Sequence, residues 1–157
     1  RTFSRLSVER ELADINQGIQ SVISILSNEL KYKAELVLDF GELPATLCNP
    51  GQLNQVFMNI IINAAQAIRD HGEITIRTSC DRGVIRVAIA DNGPGMTPDV
   101  LKRVFEPFFT TKDIGQGTGL GLSVSWEIVK SHQGDIGVTS EPGKGTEFVV
   151  TIPVVVS

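Results

Sequence analysis

Residues 113–132 read DIGQGTGLGLSVSWEIVKSH, with glycine at 115, 117, 119 and 121 and a helix-periodic run directly behind. Glycine loses more backbone entropy on folding than any other residue and costs about 0.5–1 kcal/mol relative to alanine inside a helix. Four of them at the mouth of a helix point to backbone N–H groups bared to an anion, where the partial positive charge of the helix N-terminus adds to the attraction. The spacing excludes the commonest phosphate loops. A dinucleotide fingerprint needs a GxGxxG frame, and Leu120 and Leu122 stand where its last glycine would fall. A Walker loop needs glycine-lysine followed by serine or threonine, but Gly143-Lys144 is followed by Gly145. The HRD and DFG segments of a protein-kinase glycine loop are absent.

Outward from this loop, the most regular helix pattern covers about 50–69. Leu53, Val56, Phe57, Ile60, Ile61, Ala64, Ala65 and Ile68 recur at spacings of three and four, and Asn49-Pro50 reads as its start. Gln52, Gln55, Asn59, Asn63 and Gln66 share one flank of the same helix. Carboxamides are poor core formers, and an asparagine oxygen is a fitting ligand for a hard cation such as magnesium, which shares its shell with phosphates and waters. In ADNGPGM (90–96) an apolar strand ends on Asp91 and empties into a long glycine- and proline-rich stretch. A carboxylate there can accept from an adenine amino group, and Gly93 and Gly95 give a ring room to approach. The alternative reading is a bare turn, since aspartate, asparagine and glycine all favour turns.

The rest of the chain alternates helix and strand periods. Asp14 caps a helix to about Leu30 with Ile15, Ile19, Val22, Ile23 and Leu26 on its buried face. AELVLDF (34–40) alternates as a strand and ATLC (45–48) reads as a short second one. EITIRTSC (73–80) and VIRVAIAD (84–91) form a predicted hairpin, and a helix from about 119 to 131 is followed by DIGVTSE, a PGKG turn and a last strand, TEFVVTIPV. The stretch from 92 to 118 is long enough to be a functional lid. The fold class this predicts is an α+β two-layer sandwich, helices on one face of a mostly antiparallel sheet. At 157 residues the chain is one domain's worth. Its 41% hydrophobic and 20% charged residues are those of a globular protein, and a net charge of −4 without any basic run argues against a nucleic-acid partner. Cys48 and Cys80 form no metal-spaced pattern and read as reduced thiols of a cytoplasmic chain. No apolar run approaches the ~20 residues of a membrane span. The sequence starts mid-phrase at RTFSRL, so residues 1–10 read as a lead-in and 11–157 as the domain.

Four segments in order carry a family resemblance. NQVFMNIIINAAQAI (54–68) resembles an N box, DNGPGM (91–96) a first glycine box, FEPFFTTK (105–112) an F box and GQGTGLGL (115–122) a second glycine box. GKGTEFVVTIP (143–153) is similar to the closing strand. Together they resemble the catalytic, ATP-binding domain of sensor histidine kinases in the GHKL superfamily, over residues from about 14 to 153. The resemblance implies a Bergerat fold, a mixed sheet of about five strands backed by three helices, with a mobile ATP lid. It implies Mg2+ on Asn63, with Asn59 one turn earlier beside the phosphates. Asp91 would read the adenine amino group, with Gly93, Gly95, Met96 and Thr146 around the base. Gly115, Gly117, Thr118, Gly119, Leu120, Gly121 and Leu122 would wrap the phosphates, Lys112 would meet the γ-phosphate, and Gln66 and Ala67 complete the nucleotide contacts. Phe105, Phe108 and Phe109 would pin the lid.

Phosphoryl transfer asks a protein mainly for positioning and charge neutralisation, so Asn59, Asn63 and Lys112 are the catalytic candidates. In hydrolytic relatives such as gyrase and the heat-shock chaperones, a glutamate precedes the magnesium asparagine by one turn and activates water. Here that position is Asn59, a poor base, which fits transfer to an acceptor that is already a nucleophile. Neither His71, in a turn, nor His132, ending the glycine-box helix where a cation would suit the dipole, has an acceptor-box context. TFSRL (2–6) resembles the tail of dimerisation and histidine-phosphotransfer helices. The implied partners are that domain, within a homodimeric and in some cases membrane-anchored parent, and indirectly a response-regulator receiver domain; the fragment itself reads as a monomer. The competing readings are a stand-alone anti-sigma-type serine kinase and a non-catalytic nucleotide-binding module.

Overall fold

A computed structural model of the chain describes residues 10–107, 109 and 121–157. After a short strand β1 (Glu11–Ala13), helix α1 runs over Ile15–Leu30. Asp14 sits in extended backbone ahead of it and its carboxylate accepts from the Asn16 amide at 3.0 Å, meeting one of the orphan donors of the first turn. Strands β2 (Ala34–Phe40) and β3 (Thr46–Cys48) lead to α2 (Pro50–Ala67). Asn49 caps α2 by accepting from the Gln52 amide at 3.0 Å, and Pro50 occupies the first turn, where its missing N–H is no loss. Leu53, Val56, Phe57, Ile60 and Ile61 are essentially inaccessible to water. Each such side chain stabilises the fold by roughly 1.5–3 kcal/mol of transfer free energy.

The predicted hairpin is present as β4 (Gly72–Asp81) and β5 (Val84–Asp91). Its two turn residues, Arg82 and Gly83, both have positive φ (55° and 76°), the type I′ geometry whose twist matches paired strands. A one-and-a-half-turn helix α3 (Pro98–Arg103) follows, then α4 (Gly121–Ser131), β6 (Asp135–Ser140) and β7 (Thr146–Pro153).

Five strands form one sheet in the order β2-β4-β5-β7-β6; β2–β4 is parallel and the other pairs are antiparallel. The parallel pair follows from connectivity, because α2 lies between β2 and β4 in sequence and carries the chain back to the same end of the sheet. Alternation then sorts the side chains. Ile74, Ile76, Ile85, Val87, Ile89, Phe148, Val150 and Ile152 point into the layer of α1, α2 and α4, while Glu73, Arg77, Ser79 and Arg86 stay on the open face. The architecture is the expected two-layer sandwich.

Two elements had no sequence forecast. β1 pairs antiparallel with β3 in a separate two-stranded sheet, and Val155 continues that sheet by accepting from the Leu47 amide at 2.7 Å. Three-residue strands have no periodicity to read. α3 interrupts the long loop, capped by Thr97. His132 departs from expectation: it is only 4% exposed, and burial pushes its pKa below the ordinary value of 6.5. Nδ1 lies 2.9 Å from the Ile128 carbonyl and Nε2 accepts the Asn49 amide at 3.1 Å, so the neutral ring ties the end of α4 to the cap of α2. A cation has no place there, because its second N–H would face a donor. Among the described residues both cysteines are free thiols, and no helix is long and apolar enough to cross a membrane.

Candidate nucleotide-binding site

Asp91 is the last residue of β5 and points to the helix side of the sheet. It shares one transverse row with Ile74 of β4, Thr146 of β7 and Ser140 of β6. The residue is only 9% exposed, and burial pushes its carboxyl above the ordinary 3.8; the backbone amides of Gly93 and Thr146 pull in the other direction. The Gly93 amide donates to Oδ1 at 2.8 Å. An acceptor is thus held in place by backbone donors and walled from water, ready for an N–H donor of a ligand.

Ser140, which no sequence pattern singled out, organises the wall beside it. Its Oγ accepts from the Met96 amide at 2.8 Å, donates to the Gly145 carbonyl at 2.9 Å and lies 2.8 Å from Thr146 Oγ1. With its one proton on Gly145, Ser140 receives the Thr146 hydroxyl proton, so Thr146 turns lone pairs outward. Only the alternation of β6, carried to its last residue, could have flagged Ser140. Gly95 and Gly145 have φ of 77° and 82°. A Cβ on Gly95 would collide with the Glu141 carbonyl, and one on Gly145 with the Asp91 carbonyl. The demand for glycine at 95 therefore comes from the first glycine box packing on the β6–β7 turn, a seam closed by the Gly143 amide donating to the Pro94 carbonyl at 2.6 Å. An open depression of about 250 Å³ beside this seam is lined by Asp91, Ser140, Lys144, Gly145 and Thr146 among others.

The other end of the site is where α2 meets α4. Asn59 Nδ2 donates to the Gly121 carbonyl at 3.0 Å and to Ser125 Oγ at 3.2 Å. Asn63 follows one turn later, half-buried, and Gln66 is exposed. Ala67 ends α2 with its carbonyl 3.1 Å from where a Gly93 Cβ would stand. α2 therefore touches the second glycine box at Asn59 and the first at Ala67, eight residues apart, or about 12 Å at 1.5 Å per residue. That layout suits a ligand with a base at one end and phosphates at the other.

Leu122 is half-buried and packs on the core at the start of α4. Phe105 sets its ring edge against Phe148, centroids 6.2 Å apart at 77°, which pins the segment after α3 to β7. Phe109 lies under the Arg103 guanidinium at 4.6 Å. The expected site residues Lys112, Gly115, Gly117, Thr118, Gly119 and Leu120, together with Phe108 and TFSRL, lie outside the described residues. Among the described residues no three His, Cys, Asp or Glu side chains gather as a metal cluster. The donors that do line the helix flank are amide oxygens, the hard ligands magnesium accepts alongside phosphate and water.

The five-stranded sheet and the helices packed on it are the fold of an ATPase family. Residues 48–156 match the family described as histidine kinase-, DNA gyrase B-, and HSP90-like ATPase, and the chain belongs to it. Within that family its curated relatives are kinases of signalling systems. It is 42% identical over 143 residues to sporulation kinase E of Bacillus subtilis, covering 89% of this chain and 19% of the relative. It is 37% identical over 147 residues to sensor histidine kinase ZraS of Escherichia coli, covering 92% of this chain and 31% of the relative. The chain thus spans between about a fifth and a third of the length of these proteins. Among solved structures, the catalytic domain of histidine kinase ThkA superposes with a TM-score of 0.84 at 27% identity, covering 94% of this chain and 97% of that one. Full-length ShkA in complex with AMPPNP superposes with a TM-score of 0.84 at 29% identity, covering 96% of this chain and 33% of that one.

Proposed function

We propose that this chain is the ATP-binding catalytic domain of a sensor histidine kinase. It presents the γ-phosphate of Mg-ATP to a histidine on a separate dimerisation and phosphotransfer domain, from which a response regulator would draw the phosphate. The observation that carries the reading is the pairing of a buried carboxylate, Asp91, with an asparagine-lined helix flank that meets the second glycine box at Asn59. Asp91 accepts the exocyclic amino group of adenine, and Thr146 offers its lone pairs nearby. Asn59 and Asn63 stand at the phosphate end, where Asn63 supplies an oxygen to the metal. Magnesium, when bound, neutralises phosphate charge and spares the protein from doing so with side chains. Lys112 and the glycines from 115 to 121 complete the phosphate contacts in this reading.

Asn59 also bears on the choice of reaction. Its amide gives both protons to acceptors on α4 and has no basic group to deprotonate water. The site therefore favours an acceptor that attacks unaided, such as imidazole. His71 is exposed on the loop after α2 and His132 is buried in a structural role, so the acceptor comes from another domain. That domain, and the homodimer it builds, would lie outside this chain.

Calorimetry tests the reading. ADP and AMPPNP bind the wild-type chain, and AMPPNP binds more tightly with magnesium. In Asp91→Asn the loss of a charged acceptor weakens both ligands about 10- to 100-fold, the equivalent of ~1.5–3 kcal/mol. Unchanged ADP affinity in that variant removes Asp91 from the base pocket. With a purified dimerisation domain added, label from γ-phosphate-labelled ATP appears on that domain's histidine and not on this chain; label on His71 or His132 refutes the division of labour.

A further inference from the structure

We propose that Ser125 is a positioning residue that fixes the amide of Asn59 with its carbonyl oxygen turned toward the phosphate end of the site. This rests on the nucleotide-site reading above. Ser125 lies one turn into α4 and is 0% exposed, a place where a hydroxyl needs a hydrogen-bond partner. Its Oγ donates to the Gly121 carbonyl at 2.8 Å, the bond a helical serine makes to the residue four positions back. The hydroxyl proton is thereby committed, and what Ser125 offers outward is lone pairs. Asn59 Nδ2 takes them at 3.2 Å while also reaching the Gly121 carbonyl at 3.0 Å.

The three groups form a closed ring of bonds that admits one orientation of the amide. If the amide were flipped, Oδ1 would face a carbonyl oxygen and a hydroxyl oxygen whose proton is already in use. Three acceptors would then share the single hydroxyl proton of Ser125, and two amide protons would be turned away. Both Nδ2 protons are thus held by α4, and Oδ1 is left on the side of the amide turned from α4. Asn59 also fills the space beside Gly121, where a Cβ would stand 3.6 Å from its Cγ. The side chain is therefore fixed by packing as well as by hydrogen bonds.

Neither Asn59 nor the glycine box can specify this alone. Alanine at 125 would leave Gly121 as the single acceptor for two amide protons, removing one of the two bonds that set the orientation of the amide. Ser125 touches neither phosphate nor metal in this proposal; it acts through Asn59. An aspartate or glutamate at 59 would present only acceptors to the same pair, so the clasp also selects an amide at that position.

The first measurement is made on the wild-type chain without nucleotide. Hydrogen exchange of the Asn59 side-chain amide by 15N NMR should be slowed relative to exposed Asn92, and exchange as fast as that of Asn92 overturns the proposal. In Ser125→Ala the Asn59 amide should exchange about tenfold faster, and the gain in AMPPNP affinity on adding magnesium should fall about five- to tenfold, as for one lost hydrogen bond. ADP affinity without magnesium should stay within about twofold, since Asp91 is untouched. Ser125→Thr keeps a hydroxyl that bonds the same carbonyl and should restore the magnesium gain. A Ser125→Ala chain with the full magnesium gain overturns the clasp while leaving the nucleotide site standing. A wild-type chain with no magnesium gain overturns the reading of the phosphate end itself, and the proposal with it.

Discussion

Gly143 and Gly145 offer a matched pair for testing what holds the base end of the site together. They sit two residues apart in the β6–β7 turn with φ of 81° and 82°, so an alanine at either meets the same left-handed backbone strain. That strain is about 1–2 kcal/mol, offset by roughly 0.4–1 kcal/mol from the stiffer unfolded chain. Their surroundings differ. A Cβ on Gly143 has nothing within 4 Å, whereas a Cβ on Gly145 would collide with the Asp91 carbonyl and stand 3.1 Å from Asn92 Cα. Those atoms are backbone at the end of β5 and cannot swing aside as a side chain could. Overpacking of that kind adds about 1–3 kcal/mol.

Gly143→Ala should therefore lose about 0.5–1 kcal/mol, and Gly145→Ala about 2–4 kcal/mol. At roughly 2–4 °C per kcal/mol for a chain of this size, the second variant melts about 4–16 °C below wild type and the first about 1–4 °C below. Urea midpoints at constant slope give the free energies, and calorimetry with ADP gives the functional half. Gly145→Ala should bind ADP at least about tenfold more weakly, because displacing Asp91 and Thr146 lengthens charge-assisted hydrogen bonds. Gly143→Ala should match wild type. Equal losses in the two variants would refute the packing argument. A destabilised Gly145→Ala with wild-type ADP affinity would show that the seam does not support the base pocket.

Stability should depend on pH through His132. Its folded pKa lies below the ordinary 6.5, so the unfolded chain binds more protons between the two values. Its contribution is complete above about pH 6.5 and declines as the pH falls through the lower folded value; His132→Gln should flatten that limb of a urea-midpoint profile, and an unchanged profile would count against the buried neutral ring. Asp91 runs oppositely, since its raised pKa favours the folded state below 3.8 and that benefit is lost as the pH rises through the folded value. Phe105→Ala should cost about 2–3 kcal/mol through loss of the edge contact on Phe148 and its half-buried ring, measured by urea unfolding. Among the described residues the Phe109 ring meets the Arg103 guanidinium, and Phe109→Ala should cost less than about 1 kcal/mol; equal costs for the two would deny Phe105 its pinning role.

The sequence by itself determined the elements with strong periods or strong caps. α1 and α2 repeat apolar residues every three to four positions over sixteen and eighteen residues, and Asp14 and Asn49-Pro50 mark their starts. Asp-Arg-Gly placed the hairpin, and Asp91, Asn59 and Asn63 stood out because polar groups at the ends or flanks of apolar elements are costly without a purpose. These are local signals, each written within a few residues. Tertiary structure decided what distant segments do to one another. The pairing of β1 with β3 joins residues more than thirty apart, the ring of Asn59, Gly121 and Ser125 joins two helices, and Ser140 binds Met96, Gly145 and Thr146 across the β6–β7 turn. His132 shows the difference most directly. At the end of a helix its local context favours a cation, yet packing on α2 removes it from water and makes it an acceptor, because desolvation and a facing N–H outweigh the helix dipole.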